Sequence, residues 1–93
     1  MNKTVLITGA SSGIGEGCAR KFASQGARII LNARNVQKLE ALSLELKEKY
    51  NSECHVLPFD VCDRKAAMES LESLPNEWKS IDILINNAGV LPR

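Results

Sequence analysis

The sequence predicts an α/β fold: a doubly wound parallel sheet of four strands in the order 3-2-1-4. Three observations carry that prediction. Short apolar runs alternate with stretches of helical period, in the order β-α-β-α-β-α-β. A glycine- and serine-rich turn, residues 8–15, follows the first run. A second polar turn, residues 86–89, follows the fourth run, which the doubly wound order places beside the first. Both turns then open onto one crevice at the carboxyl ends of the central strands.

Each element has local support. Val5-Leu6-Ile7, ended by Thr8-Gly9, reads as a strand buried on both faces. In the next stretch Ile14, Cys18 and Phe22 recur at i, i+4 and i+8, with Ala19 and Ala23 on the same stripe. Gly26 stands where a glycine ends such a helix. Ile29-Ile30-Leu31 is the second strand. Asn35 is a candidate N-cap for a helix with Leu39, Leu42 and Leu46 inward and Lys38, Glu45, Lys47, Glu48 and Lys49 outward. Asn51-Ser52 breaks that helix. Cys54 to Phe59 reads as a third strand, with Pro58 near its end, where an edge tolerates a missing N–H. Asp63 is a candidate cap for a third helix, with Ala67, Leu71 and Leu74 inward and Pro75 as its stop. Ile81 to Ile85 completes the sheet.

Composition narrows the function classes. The chain has 93 residues, 44% hydrophobic and 25% charged, with a net charge of +1. That is one small domain and not a disordered polyelectrolyte. The basic excess of a nucleic-acid binder is missing, and no apolar run approaches the ~18 residues that span a bilayer. The N-terminus runs directly into a strand without a leader, so a cytoplasmic protein is expected. Cys18, Cys54 and Cys62 form no C-x-x-C pair and His55 is the single histidine, which argues against a disulfide or metal framework. Residues 1–34 hold Lys3, Arg20, Lys21, Arg28 and Arg34 against Glu16. This basic third suits an anionic ligand, or equally a solvated helix face.

Gly9, Gly13 and Gly15 follow a strand and open a helix. A helix N-terminus presents unpaired N–H groups and a partial positive charge, and a phosphate reaches them where no Cβ intervenes. Ser11 and Ser12 add hydroxyl donors. The spacing G-x-x-x-G-x-G is neither G-x-G-x-x-G nor a P-loop. The same glycines also suit a turn that only packs helix on strand. After the second strand comes Asn32-Ala33-Arg34-Asn35, with no acid to hold a ribose 2′-hydroxyl. A guanidinium there pairs with a 2′-phosphate, so the cofactor reading is NADP, with NAD as the alternative. An ordinary loop arginine is the competing account of Arg34.

Thr8–Gly15 (TGASSGIG), Asp60-Val61 and Asn86–Gly89 (NNAG) together resemble the classical short-chain dehydrogenase/reductases, over essentially the whole chain. The stretch Leu74–Trp78 leading to Ile81–Gly89 is similar to the NADP-dependent branch acting on serine and other 3-hydroxy acids. The resemblance implies a Rossmann-like domain. In it Gly9, Ser11, Ser12, Gly13, Ile14 and Gly15 cradle the pyrophosphate and adenosine ribose. Arg34 and Asn35 meet the 2′-phosphate. Asp60 accepts from the adenine amino group, the Val61 backbone lies against the ring, and Asn87 contacts the ribose side while fixing the central strands. Without the resemblance, Asp60 reads equally as a cap or loop carboxylate.

The family's catalytic serine and Tyr-x-x-x-Lys motif follow NNAG at a distance. Tyr50, the single tyrosine, is followed by Asn51-Ser52-Glu53-Cys54, with no lysine four residues on. The resemblance therefore implies that residues 1–93 are the N-terminal part of one NAD(P)-binding domain, without catalytic residues and inactive alone. The whole protein is expected to transfer hydride between nicotinamide and a small hydroxyl or carbonyl substrate. It is expected to be a homo-oligomer with no nucleic-acid or membrane partner. A non-catalytic nucleotide-binding or sensing module and a bare scaffold are the alternatives. A fourth strand left at the sheet edge, with Ile81, Ile83 and Ile85 incompletely covered, invites self-association.

Overall fold

The computed structural model describes residues 2–60 and 62–87. Its four parallel strands, β1 (Thr4–Thr8), β2 (Arg28–Leu31), β3 (Cys54–Val56) and β4 (Ile83–Asn86), lie in the order β3-β2-β1-β4. Three helices connect them: α1 (Gly13–Ser24), α2 (Val36–Tyr50) and α3 (Arg64–Glu72), with a 3₁₀ turn over Asn76–Trp78. None of these is long and apolar enough to cross a membrane.

The period-2 alternation of strand side chains divides the core into two layers. Val5, Ile7, Ile29 and Leu31 point toward α1 and α2, meeting Ala19, Ala23, Leu39, Leu42 and Leu46. Leu6 and Ile30 point to the opposite face, where Leu57, Leu74 and Trp78 cover them. β1 is buried at all five positions because it has a strand on each side and helices on both faces. The caps form as expected: Asn35 Oδ1 accepts from Lys38 N at 3.1 Å and Asp63 Oδ1 from Ala66 N at 3.1 Å. Gly26 takes a φ of 86°, and Asn51 ends α2 at a φ of 55°.

Three expectations are corrected. Ile14 is 73% exposed, and the buried stripe of α1 is Gly15, Ala19 and Ala23, with Cys18 and Phe22 half-buried. The first turn of α1 projects past the carboxyl ends of the strands, so its second residue has no sheet beneath it. β3 stops at Val56 and does not reach Phe59. Leu57 N still bonds Leu31 O at 2.8 Å, but Pro58 has no N–H with which to continue the ladder. β4 begins at Ile83, two residues late, because Ile81 N turns back onto Lys79 O at 3.0 Å. The expectation of incompletely covered isoleucines holds, since Ile81, Ile83 and Ile85 are half-buried, and Leu84 is more open still at 58% exposure.

Candidate functional site at the switch point

β1 and β4 are adjacent, and the winding reverses between them, so their carboxyl ends flank a crevice. The chain leaves β1 through Gly9, whose φ of 63° is the left-handed conformation that favours glycine. Its carbonyl oxygen accepts from Ser12 N at 3.2 Å, Ser12 Oγ at 3.0 Å and Asn87 Nδ2 at 3.0 Å. Asn87 Nδ2 also donates to Ser12 Oγ at 2.8 Å. The residue after β4 thus ties the two turns together.

Ser12 is the N-cap of α1: its hydroxyl oxygen accepts from Gly15 N at 3.2 Å while its proton points at Gly9 O. Its donor is engaged within the turn, unlike that of Ser11, whose hydroxyl has no partner among the described residues. The glycines divide by function. A Cβ on Gly15 would overlap the Gly9 carbonyl oxygen and lie 2.9 Å from Ala10 Cα, so Gly15 is the contact that lets α1 sit against β1. A Cβ on Gly13 would meet nothing within 4 Å. Packing explains Gly15 and leaves Gly13 unexplained.

A cavity of about 170 Å³ continues from this turn, lined by Gly9, Ser11, Asn32, Ala33, Arg34, Phe59 and Asp60. Arg34 is 81% exposed at the side chain, and its Nη1 lies 3.9 Å from Asp60 Oδ2. Such an exposed pair contributes about 0–1 kcal/mol. Asp60 Oδ1 accepts from Cys62 N at 2.9 Å, which holds the carboxylate at the rim. Asn35 caps α2 directly after Arg34, so the positive end of a 15-residue helix reinforces the guanidinium, with no acid in its first turn.

The structure therefore gathers Gly9, Ser11, Arg34 and Asp60 around one cavity. Ser12, Gly13, Ile14 and Gly15 form the start of α1 next in the chain, Asn87 bonds Gly9 and Ser12, and Asn35 caps α2 directly after Arg34. Val61, Ala88 and Gly89 lie outside the described residues. Asn32, Ala33 and Phe59 complete the lining and were not anticipated as site residues. The signal for Asn32 was a lone amide at the end of an otherwise apolar strand. Tyr50 ends α2, about 20 Å along the helix from Asn35, at the opposite end of the sheet. Cys54 lies at that far end too, and burial pushes its thiol pKa up.

Fold and crevice define a doubly wound α/β domain of the Rossmann type, with its candidate site at the topological switch point. The short chain dehydrogenase family model matches residues 3–93, and the chain belongs to that family. It is 42% identical over 90 residues to a serine 3-dehydrogenase of Agrobacterium fabrum, covering 97% of this chain and 34% of the relative. It is 46% identical over 89 residues to an NADP-dependent 3-hydroxy acid dehydrogenase of Schizosaccharomyces pombe, covering 95% and 34%. Among solved structures it is similar to an L-sorbose reductase of Gluconobacter frateurii complexed with NADPH and L-sorbose. There the TM-score is 0.88 at 39% identity, over 96% of this chain and 34% of that one. The chain spans about a third of the length of these relatives.

Proposed function

We propose that residues 1–93 are the N-terminal, dinucleotide-binding part of a single domain in an NADP-dependent short-chain oxidoreductase. The observation that carries this reading is one crevice with two complementary ends. At one end the α1 N-terminus is open above Gly13. At the other, β2 delivers Arg34 and no carboxylate. The open approach fits a pyrophosphate on the first N–H groups of α1, including that of Ile14, with Ser11 as hydroxyl donor. Gly9 and Gly15 shape that turn, and Ser12 and Asn87 hold it. Arg34, Asn35 and the α2 N-terminus fit a 2′-phosphate. Asp60 fits the adenine amino group, with the Val61 backbone beside the ring. NAD as the alternative lacks an acid at the β2 end to accept from its 2′-hydroxyl.

When bound, the dinucleotide supplies the hydride chemistry; this part of the chain binds and orients it. The names of the relatives support a 3-hydroxy acid such as serine as the small-molecule substrate. A cytoplasmic location and a homo-oligomer belong to the same proposal and rest on the family resemblance. The test is calorimetric titration with NADPH and NADH. Saturable binding of NADPH, at least about tenfold tighter than NADH, is expected from one added charge-assisted contact. Absence of saturable binding by either nucleotide overturns the proposal.

A further inference from the structure

Asn32 is wholly buried at the end of β2, where neighbouring positions are apolar. Its Nδ2 donates to two carbonyls of the segment that follows β3, Leu57 O at 2.9 Å and Phe59 O at 3.1 Å. Those carbonyls flank Pro58, the residue at which the β2–β3 ladder stops for want of an N–H. The side chain thus takes over where the backbone pairing ends. The main-chain carbonyl oxygen of Asn32 accepts from Ala10 N at 2.8 Å, inside the glycine turn, and its main-chain N–H donates to Ile7 O at 2.9 Å. Arg34 follows two residues later. One residue therefore joins the glycine turn, the Arg34 loop and the segment that carries Asp60.

The carboxamide serves stability on one side and costs it on the other: its two donor bonds satisfy the Leu57 and Phe59 carbonyls, which an apolar side chain would leave unpaired. Its Oδ1 is buried without a hydrogen-bond partner among the described residues, a desolvation cost set against those two bonds. Two good donor contacts fix which end of the amide is which, so the orphan is the oxygen. What the geometry points to is placement: the two bonds tie the end of β2, which leads to Arg34, to the segment that leads to Asp60.

We propose that Asn32 is a positioning residue of the ligand site. By gripping Leu57 and Phe59 it sets Asp60 opposite Arg34, and so fixes the width of the adenosine end of the crevice. This rests on the NADP reading above. Asn32 acts through the loops it holds, since its buried oxygen is closed to the ligand.

The experiment compares wild type with Asn32→Leu and Asn32→Thr on the full chain, by hydrogen exchange without ligand and by NADPH titration. Asn32→Leu should speed exchange at the Cys62 and Asp63 amides by about tenfold. These amides are bonded to Asp60 Oδ1 and Asp60 O at 2.9 Å each. The Glu16 amide, capped onto Ser12 O at 2.8 Å, should be unchanged. NADPH binding should weaken by about tenfold in Asn32→Leu and by about threefold in Asn32→Thr, which keeps one donor. If Asn32→Leu does not fold, the exchange and affinity of Asn32→Thr decide. Unchanged exchange at Cys62 and Asp63, or unchanged NADPH affinity in a variant whose thermal midpoint falls, overturns the assignment while the NADP reading stands. If wild type binds neither nucleotide, the NADP reading fails and the ligand role of Asn32 falls with it.

Discussion

The two ends of the crevice are built differently. At the glycine turn the Gly9 carbonyl receives three donors, and Ser12, Asn87 and the α1 N-terminus lock together. At the Arg34 end the guanidinium is mostly solvated, and its nearest charge is a carboxylate 3.9 Å away. The first end is the more rigid; at the second the Arg34 side chain is the adaptable part, opposite an Asp60 whose segment Asn32 holds. In the proposed complex the rigid end would face the group that NAD and NADP share, and the adaptable end the one that distinguishes them. On that proposal preorganisation would serve common binding, and a weakly paired cation would serve selectivity.

Variants at each end test that division. The largest effect is expected from Gly15→Val, because even a Cβ overlaps the Gly9 carbonyl. Overpacking of about 3 kcal/mol or more should lower the thermal midpoint steeply and weaken both nucleotides together. Next is Arg34→Ala, which should cost NADPH about 1.5–3 kcal/mol and leave NADH nearly unchanged in parallel titrations. Equal losses would mean that the adaptable end does not discriminate. Gly13→Ala sharpens the comparison from within the rigid end. With nothing within 4 Å of the new methyl, the melting temperature should barely move, while both nucleotides bind about tenfold more weakly. Full retention of binding would reduce the glycine turn to a packing device.

The smallest effect lies away from the crevice. Arg20 Nε meets Glu45 Oε2 at 2.7 Å across α1 and α2, and its hydrogen bond holds the Glu45 carboxyl below its ordinary value. A lowered folded-state pKa means stability that is present above the unfolded value and lost as pH falls through the folded one. Arg20→Ala should therefore make the melting temperature of the variant less steep than wild type between about pH 5 and 3. Parallel acid limbs would show that the pair contributes nothing.

Much of this architecture was legible in the chain. Asn35 and Asp63 cap their helices as their side chains allow, because an N-cap bond spans three residues and needs no tertiary partner. Gly26 and the leucine stripe of α2 were equally local. Ile14 was not, since helical spacing says which residues share a stripe and nothing about where the sheet beneath it ends. Trp78 joined the second core through a 3₁₀ turn too short to show a period.

The sequence by itself determined the strand–helix alternation, the helix caps, the glycine turn and the missing acid after β2, all of them short-range properties of backbone and side chain. Tertiary structure alone decided that Asn87 bonds Gly9, that Arg34 faces Asp60, and that Asn32 bridges to Leu57 and Phe59. Those contacts join loops 25 to 78 residues apart along the chain in the bonds made by Asn32 and Asn87. They exist only because the 3-2-1-4 order brings strand ends distant in sequence to a common edge of the sheet.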